Sequence, residues 1–190
     1  MRILVMLSGG VESTALVHHG VKEGHEVECV HAVWDNKTQY EGKRAKAICR
    51  YYNVPYFETT ILNQALNDKY PTQKRMDHPF WGAALLTSVP VGMYDEVWFG
   101  SYLGESPPGA LAPAGAKMVL MAADCDTDVR SPLYLYKKKE QWDLLPKEVQ
   151  DLTITCAKYY KLDMNCIKAK LSPLCQKCEE CRKWKIVKDA

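Results

Sequence analysis

Residues 3–17 read ILVMLSGGVESTALV. The apolar run is too short for a core helix and reads, over residues 2–7, as a buried strand. It breaks at Ser8-Gly9-Gly10 and gives way to a helical pattern over residues 11–23, with Ala15, Leu16 and Val17 among its apolar positions. A strand that enters a helix through three small residues is how an open parallel α/β sheet begins.

The rest of the chain continues the alternation. Strands are predicted over 24–34 (GHEVECVHAVW), 54–61 (VPYFETTI) and 95–102 (DEVWFGSY), with helices over 39–53 and 79–93. Pro90 is expected to bend or end the second of these helices. The expected fold is therefore a doubly wound, mostly parallel sheet with helices on both faces. Residues 103–116 (LGESPPGALAPAGA) are rich in Pro, Gly and Ala and read as loop. MVLMAA (118–123) suits a short apolar helix or strand, and SPLYLYKKKEQWDLLPKE (131–148) a strand end that becomes a helix. Two units are expected: an α/β domain over 1–150 and a Cys- and Lys-rich segment over 151–190 packed on it.

Composition narrows the class. With 190 residues and 47% hydrophobic content the chain can bury a core. The net charge of +2 gives no broad electrostatic case for nucleic acid. No apolar run reaches the ~18 residues of a membrane span. The N-terminus reads as a strand and not as a signal peptide, so a cytoplasmic location is expected.

The turn itself carries chemistry. Ligands of open parallel sheets sit beyond the carboxyl ends of the strands. Glycines there let backbone amides approach an anion, and the helix N-terminus adds free N–H donors and partial positive charge. Ser8 and Ser13 add hydroxyls. The plain alternative is a tight strand-to-helix turn. No GK[ST] follows, and the third glycine of the dinucleotide fingerprint is missing.

The eight cysteines fall into two groups. Cys29, Cys49, Cys125 and Cys166 are scattered. Cys175, Cys178 and Cys181, in CQKCEEC, have the two-residue gaps that let thiolates surround one tetrahedral ion. Cys156 is the best candidate for a fourth ligand and Cys166 the second. Zinc would explain how a polar tail stays folded; unrelated thiols, a redox pair or an iron–sulfur cluster are the other readings.

The turn, Ser8-Gly9-Gly10-Val11-Glu12-Ser13, resembles the SGGxDS pyrophosphatase loop (PP-loop) of the adenine nucleotide α-hydrolase superfamily, with Glu12 where that motif has Asp. Loop and cysteine ending together resemble the 7-cyano-7-deazaguanine synthase family, QueC. Weaker matches lie between: SPLYLYKKKEQW places Lys138 and Glu140, LTITC places Cys156, and WDNKTQYEGKRAKAI places Trp34, Gln39 and Glu41. The Arg-Asn pair of the family's GRN falls on Asp77-His78, and ESPPGALAPAG stands in place of its YPDCR.

That resemblance implies an AMP-forming ligase that converts 7-carboxy-7-deazaguanine and ammonia into the nitrile preQ0, a step of queuosine biosynthesis. The carboxylate is adenylated, ammonia gives the amide, and a second adenylation permits loss of AMP to the nitrile. Ser8, Gly9, Gly10, Val11, Ser13 and Thr14 would bind the pyrophosphate of ATP. Main chain around His31 and Val33 would meet adenine, and Gly100 would line the α-phosphate. Glu12 would orient the loop or reach Mg²⁺, Ser101 would line the acceptor, and Lys138 would neutralise phosphate charge. Trp34, Gln39, Glu41, Asp77 and His78 are the substrate-side candidates, Trp81 could face the acceptor, and Trp98, within EVWFG, is expected in the core. Cys156, Cys175, Cys178 and Cys181 would hold Zn²⁺. The family also implies a homodimer. Competing readings are another adenylating enzyme of this fold, such as a base thiolase (for which Cys125 is the one nominee) or an amide ligase, and a catalytically weakened nucleotide-binding protein, which Glu12 would mark.

Overall fold

The computed structural model describes residues 1–33, 36–60, 91–101 and 107–153, with residues 36–40 and 107–112 as backbone only. Five strands, β1 (Arg2–Met6), β2 (Glu26–Val33), β3 (Tyr56–Thr60), β4 (Glu96–Phe99) and β5 (Asp128–Arg130), form one sheet in the order β3-β2-β1-β4-β5. All four strand pairs are parallel. The helices are α1 (Val11–Lys22), α2 (Asn36–Tyr52), α3 (Pro107–Ala122), α4 (Lys138–Asp143) and α5 (Lys147–Leu152), and a 3-10 turn spans Val91–Met93.

Strand β1 is central, which is why its sequence is continuously apolar: a strand covered on both faces has no solvent side to alternate with. Ile3, Leu4 and Val5 are fully buried, and burial of each such side chain contributes about 1.5–3 kcal/mol. Edge strand β3 has no buried residue. Alternate residues of β1 serve two cores. Ile3, Val5 and Leu7 pack with Val27, Cys29 and Trp98 against Ala15 and Leu16 of α1, Ile48 of α2 and Val149 of α5. Leu4 and Met6 pack with Val30, Val97 and Phe99 against Ala116 and Leu120 of α3. Helices thus cover both faces. The helix ends are closed by residues that tolerate the left-handed conformation, such as Asn53 (φ 53°) after α2 and Asp124 (φ 52°) after α3.

The expected strands and helices along β1-α1-β2-α2-β3 and at β4 are present. The expected helix over 79–93 lies outside the described residues except for its last three, which form the 3-10 turn. Three expectations are corrected. Residues 107–116 are not loop but most of α3, a 16-residue helix. Pro107 and Pro108 occupy its first turn, where the missing N–H costs nothing. The Ala-rich sequence favours helix, and burial of Ala116 and Leu120 offsets the bond lost at Pro113. Residues 118–122 are helical, one of the two expected forms, but as the end of that same helix and not as a separate element, and residue 123 lies in the turn after it. Ser131–Tyr136 is a pair of turns, not a strand end, with the amides of Tyr134 and Tyr136 bonded to the carbonyls of Ser131 and Leu133; the strand is the short β5 before it.

The strand order positions the site. The chain runs outward from β1 through β2 to β3, then returns to β4 on the other side of β1. The order reverses between β1 and β4, so the crevice lies beyond Leu7 and Gly100, where open α/β sheets bind ligands.

Candidate anion-binding site at the switch point

Leu7 continues the ladder through its amide, which donates to the carbonyl of Val30 (2.8 Å). Its own carbonyl lies 2.8 Å from Nδ1 of the buried His31. A carbonyl only accepts, so Nδ1 carries the proton and the imidazole anchors the base of the turn. Gly9 then adopts φ +79°, and a Cβ there would lie 3.2 Å from the Glu41 carbonyl oxygen and 3.3 Å from the Ala45 amide nitrogen. The turn is pressed against α2 too closely for a side chain.

The loop's hydroxyls close it internally. Ser13 Oγ accepts from the Ser8 amide (3.2 Å) and lies 3.0 Å from Ser8 Oγ and 3.3 Å from the Gly10 carbonyl. Ser8 Oγ accepts from the Gly10 amide (3.3 Å), and Thr14 Oγ1 donates to the Gly10 carbonyl (2.6 Å). The amides of Gly9, Val11, Glu12 and Ser13 donate to no acceptor among the described residues. Most of them belong to the first turn of the 12-residue α1, with Gly10 as its N-cap. Unpaired donors at the positive end of a helix form an anion site.

The opposite wall is the end of β4. A Cβ on Gly100 would lie 2.6 Å from the Ser13 nitrogen and 2.8 Å from the Glu12 carbonyl carbon. Only a residue without a side chain lets β4 approach the start of α1 so closely. Ser101 is buried, and its carbonyl accepts from Gln141 Nε2 at 2.7 Å.

Helix α4 spans both walls. Gln141, fully buried, also donates to the Leu133 carbonyl at 2.9 Å, while its Oε1 has no hydrogen-bond partner among the described residues. One turn earlier Lys138 Nζ lies 2.8 Å from Glu12 Oε1. Glu140 accepts from the Lys137 amide at 2.6 Å and caps the helix. Glu12 and Lys138, each nominated for phosphate or metal, therefore meet each other. Gln141 was not nominated. Its one signal is a polar residue on the face that carries Leu145 inward, and its partners lie far away in sequence.

The other candidates divide by what their atoms can offer. Val11 and Thr14 are buried, so Val11 offers only its amide, and the Thr14 hydroxyl is engaged with Gly10. Val33 ends β2. Glu41 lies in α2 beside Gly9. Near it, burial and then the Glu58 carboxylate push the Tyr56 hydroxyl up, and it donates to Glu58 at 2.9 Å. Trp98 is core: its Nε1 donates to Glu96 and its ring meets His19. Trp34, Asp77, His78, Trp81, Cys156, Cys166, Cys175, Cys178, Cys181 and the side chain of Gln39 lie outside the described residues. Among the described residues no group of three or more His, Cys, Asp or Glu could hold a metal ion.

Residues 2–78 match the QueC family, queuosine biosynthesis protein QueC. The QueC match thus holds the glycine turn, α1, β2 and α2, but not β4 or α4. Over 58 residues the chain is 40% identical to a 7-cyano-7-deazaguanine synthase of Sulfolobus acidocaldarius, covering 30% of this chain and 13% of that protein. A 56-residue stretch is 36% identical to a 7-cyano-7-deazaguanine synthase of Caldicellulosiruptor bescii, covering 30% of this chain and 25% of that one. Two solved structures share the fold. NMN synthetase from Francisella tularensis superposes with TM-score 0.55 at 15% identity, over 96% of this chain and 82% of its own. A predicted subunit of tRNA methyltransferase from Methanocaldococcus jannaschii superposes with TM-score 0.51 at 14% identity, over 70% and 68%.

Proposed function

We propose that the chain binds ATP at the switch point and uses it to convert 7-carboxy-7-deazaguanine and ammonia into 7-cyano-7-deazaguanine, with release of AMP and pyrophosphate. The observation that carries this reading is the set of amides at the start of α1 that have no acceptor among the described residues, close to Gly100 at the end of β4. The QueC match over the same loop supports the substrate. A carboxylate is a poor electrophile: transfer of AMP to it supplies a leaving group that ammonia displaces to give the amide, and a second adenylation, of the amide oxygen, lets AMP leave again to form the nitrile. Much of the protein's work in such a step is placement and charge stabilisation. The loop amides would hold the pyrophosphate, the ends of β2 and β4 would bound the nucleotide, and Lys138 would face the phosphates. Mg²⁺ would neutralise phosphate charge, and Glu12, in the first turn of α1, offers a carboxylate there.

Incubation with ATP, ammonia and 7-carboxy-7-deazaguanine, followed by mass spectrometry, tests the proposal. The nitrile with two AMP released for each molecule formed supports it. AMP formation with a different acceptor would assign another ligase of this fold. Tight ATP binding without turnover, unrescued by Glu12→Asp, would assign a nucleotide-binding protein. A thiolase acting through Cys125 is disfavoured, because that thiol sits before β5, at the amino end of the sheet, against Thr127. A separate C-terminal segment from residue 151, with zinc on Cys156, Cys175, Cys178 and Cys181, remains a proposal from spacing, checked by metal analysis of the purified protein. Pairing into dimers and a cytoplasmic location stay with the same reading. No helix among the described residues is long and apolar enough to cross a membrane.

A further inference from the structure

We infer that Glu12 and Lys138 form an exchangeable pair: the carboxylate holds the ammonium beside the loop's open amides until the pyrophosphate group of ATP takes it over. The inference rests on the nucleotide reading of the loop and adds to it a positioning role for Glu12.

Three observations support it. The contact is 2.8 Å long, and the two side chains are only 17% and 23% exposed, so the pair is less screened than an ordinary surface ion pair. The lysine's backbone is fixed. Gln141, one turn along α4, is clamped to the carbonyls of Ser101 and Leu133, and Glu140 caps the same helix. What can move is the four-carbon arm of Lys138, a compact charge on a flexible stem. Finally, Glu12 lies in the first turn of α1, between Val11 and Ser13, whose amides have no acceptor among the described residues. Its carboxylate and a bound phosphate would compete for the Lys138 ammonium.

The side-chain length also fits. An aspartate at position 12 would end about one bond, roughly 1.5 Å, short of the present carboxylate. The direct contact with Lys138 would then be lost. The glutamate is thus matched to this lysine, and a pair that must part before the phosphates bind weakens binding while it keeps the lysine in place.

The test is a double-mutant cycle on Mg²⁺-free pyrophosphate binding by calorimetry, with wild type, Glu12→Gln, Lys138→Met and the double variant. Glu12→Gln should tighten binding about 3- to 10-fold by removing the competitor, and Lys138→Met should weaken it at least 10-fold. In the Lys138→Met background Glu12→Gln should change affinity less than 2-fold. Glu12→Asp, a conservative second variant, should shift binding in the same direction as Glu12→Gln. An equal gain from Glu12→Gln in both backgrounds would mean simple charge repulsion and would overturn the exchange. No gain in either would overturn it too. Absence of binding in the wild type would overturn both the exchange and the nucleotide reading, so the two failures are distinguishable.

Discussion

The two ends of the same sheet treat polar groups in opposite ways. At the amino end they are stitched together. Arg2 reaches Glu28 at 2.8 Å and Glu26 at 3.5 Å, and its guanidinium lies 5.1 Å from the ring centre of Tyr94. Its amide donates to Asp95 at 2.7 Å, and the Tyr94 hydroxyl donates to Glu28 at 2.6 Å. Arg130 does the same between Asp128 and Glu96, at 2.9 and 3.3 Å. At the carboxyl end, among the described residues, the amides of Gly9, Val11, Glu12 and Ser13 have no acceptor, and Lys138 pairs with Glu12 across the gap. Charged clusters are therefore no guide to the site here. The denser one fastens strands β1, β2, β4 and β5 together, and the sparser one borders the groups that could take a ligand.

The sharpest way to break this contrast is at Gly100. Gly100→Val should cost about 1–3 kcal/mol by overpacking. It should also lower ATP affinity at least 100-fold, because the new Cβ pushes on the backbone of Glu12 and Ser13. Calorimetry and thermal melts of one preparation would check both. Next comes Gln141→Leu, which leaves the Ser101 and Leu133 carbonyls without their donor. A loss of about 1–3 kcal/mol is expected from urea unfolding, with weaker ATP binding because the end of β4 is released.

Glu28→Gln tests the stitched end. Burial alone would raise the Glu28 carboxyl, but hydrogen bonds from Arg2 and Tyr94 outweigh it and hold it below its ordinary 4.5. A depressed carboxylate stabilises the fold above its unfolded-state value, and that contribution is lost as pH falls through the folded one. Wild-type stability should therefore drop as pH falls below 4.5, and Glu28→Gln should flatten that decline while ATP affinity stays within 2-fold. Urea midpoints at pH 6, 4 and 3 would show it. The smallest effect is expected at Lys147→Ala. Its pair with Asp151 is 3.7 Å long and more than 70% exposed on both sides, so a change within about 0.5 kcal/mol is expected.

What could be read from the sequence was local. The strand–turn–helix of residues 2–22 declares itself through a run of aliphatic residues, three small ones and a helical period, and the parallel order follows from repetition of that unit. The loop's own serines and glycines were legible for the same reason. Helix α3 was not, because Pro107, Pro108 and Pro113 outvote the alanines until Ala116 and Leu120 find the sheet. Strand β5 is three residues long, with no buried residue, and shows no period to read. Glu12 and Lys138 could each be nominated by residue type, but their meeting is a fact of topology. Gln141 depends entirely on carbonyls brought to it by β4 and the turn after β5.

The close approach at Gly100 has a kinetic side. The motif is complete by residue 14, yet its far wall arrives only after a long excursion of the chain through β2 and β3. Closing that span costs entropy before any contact rewards it. Early folding intermediates should thus carry the recognisable signature and still lack a cleft, and competence should emerge only when β4 docks beside β1.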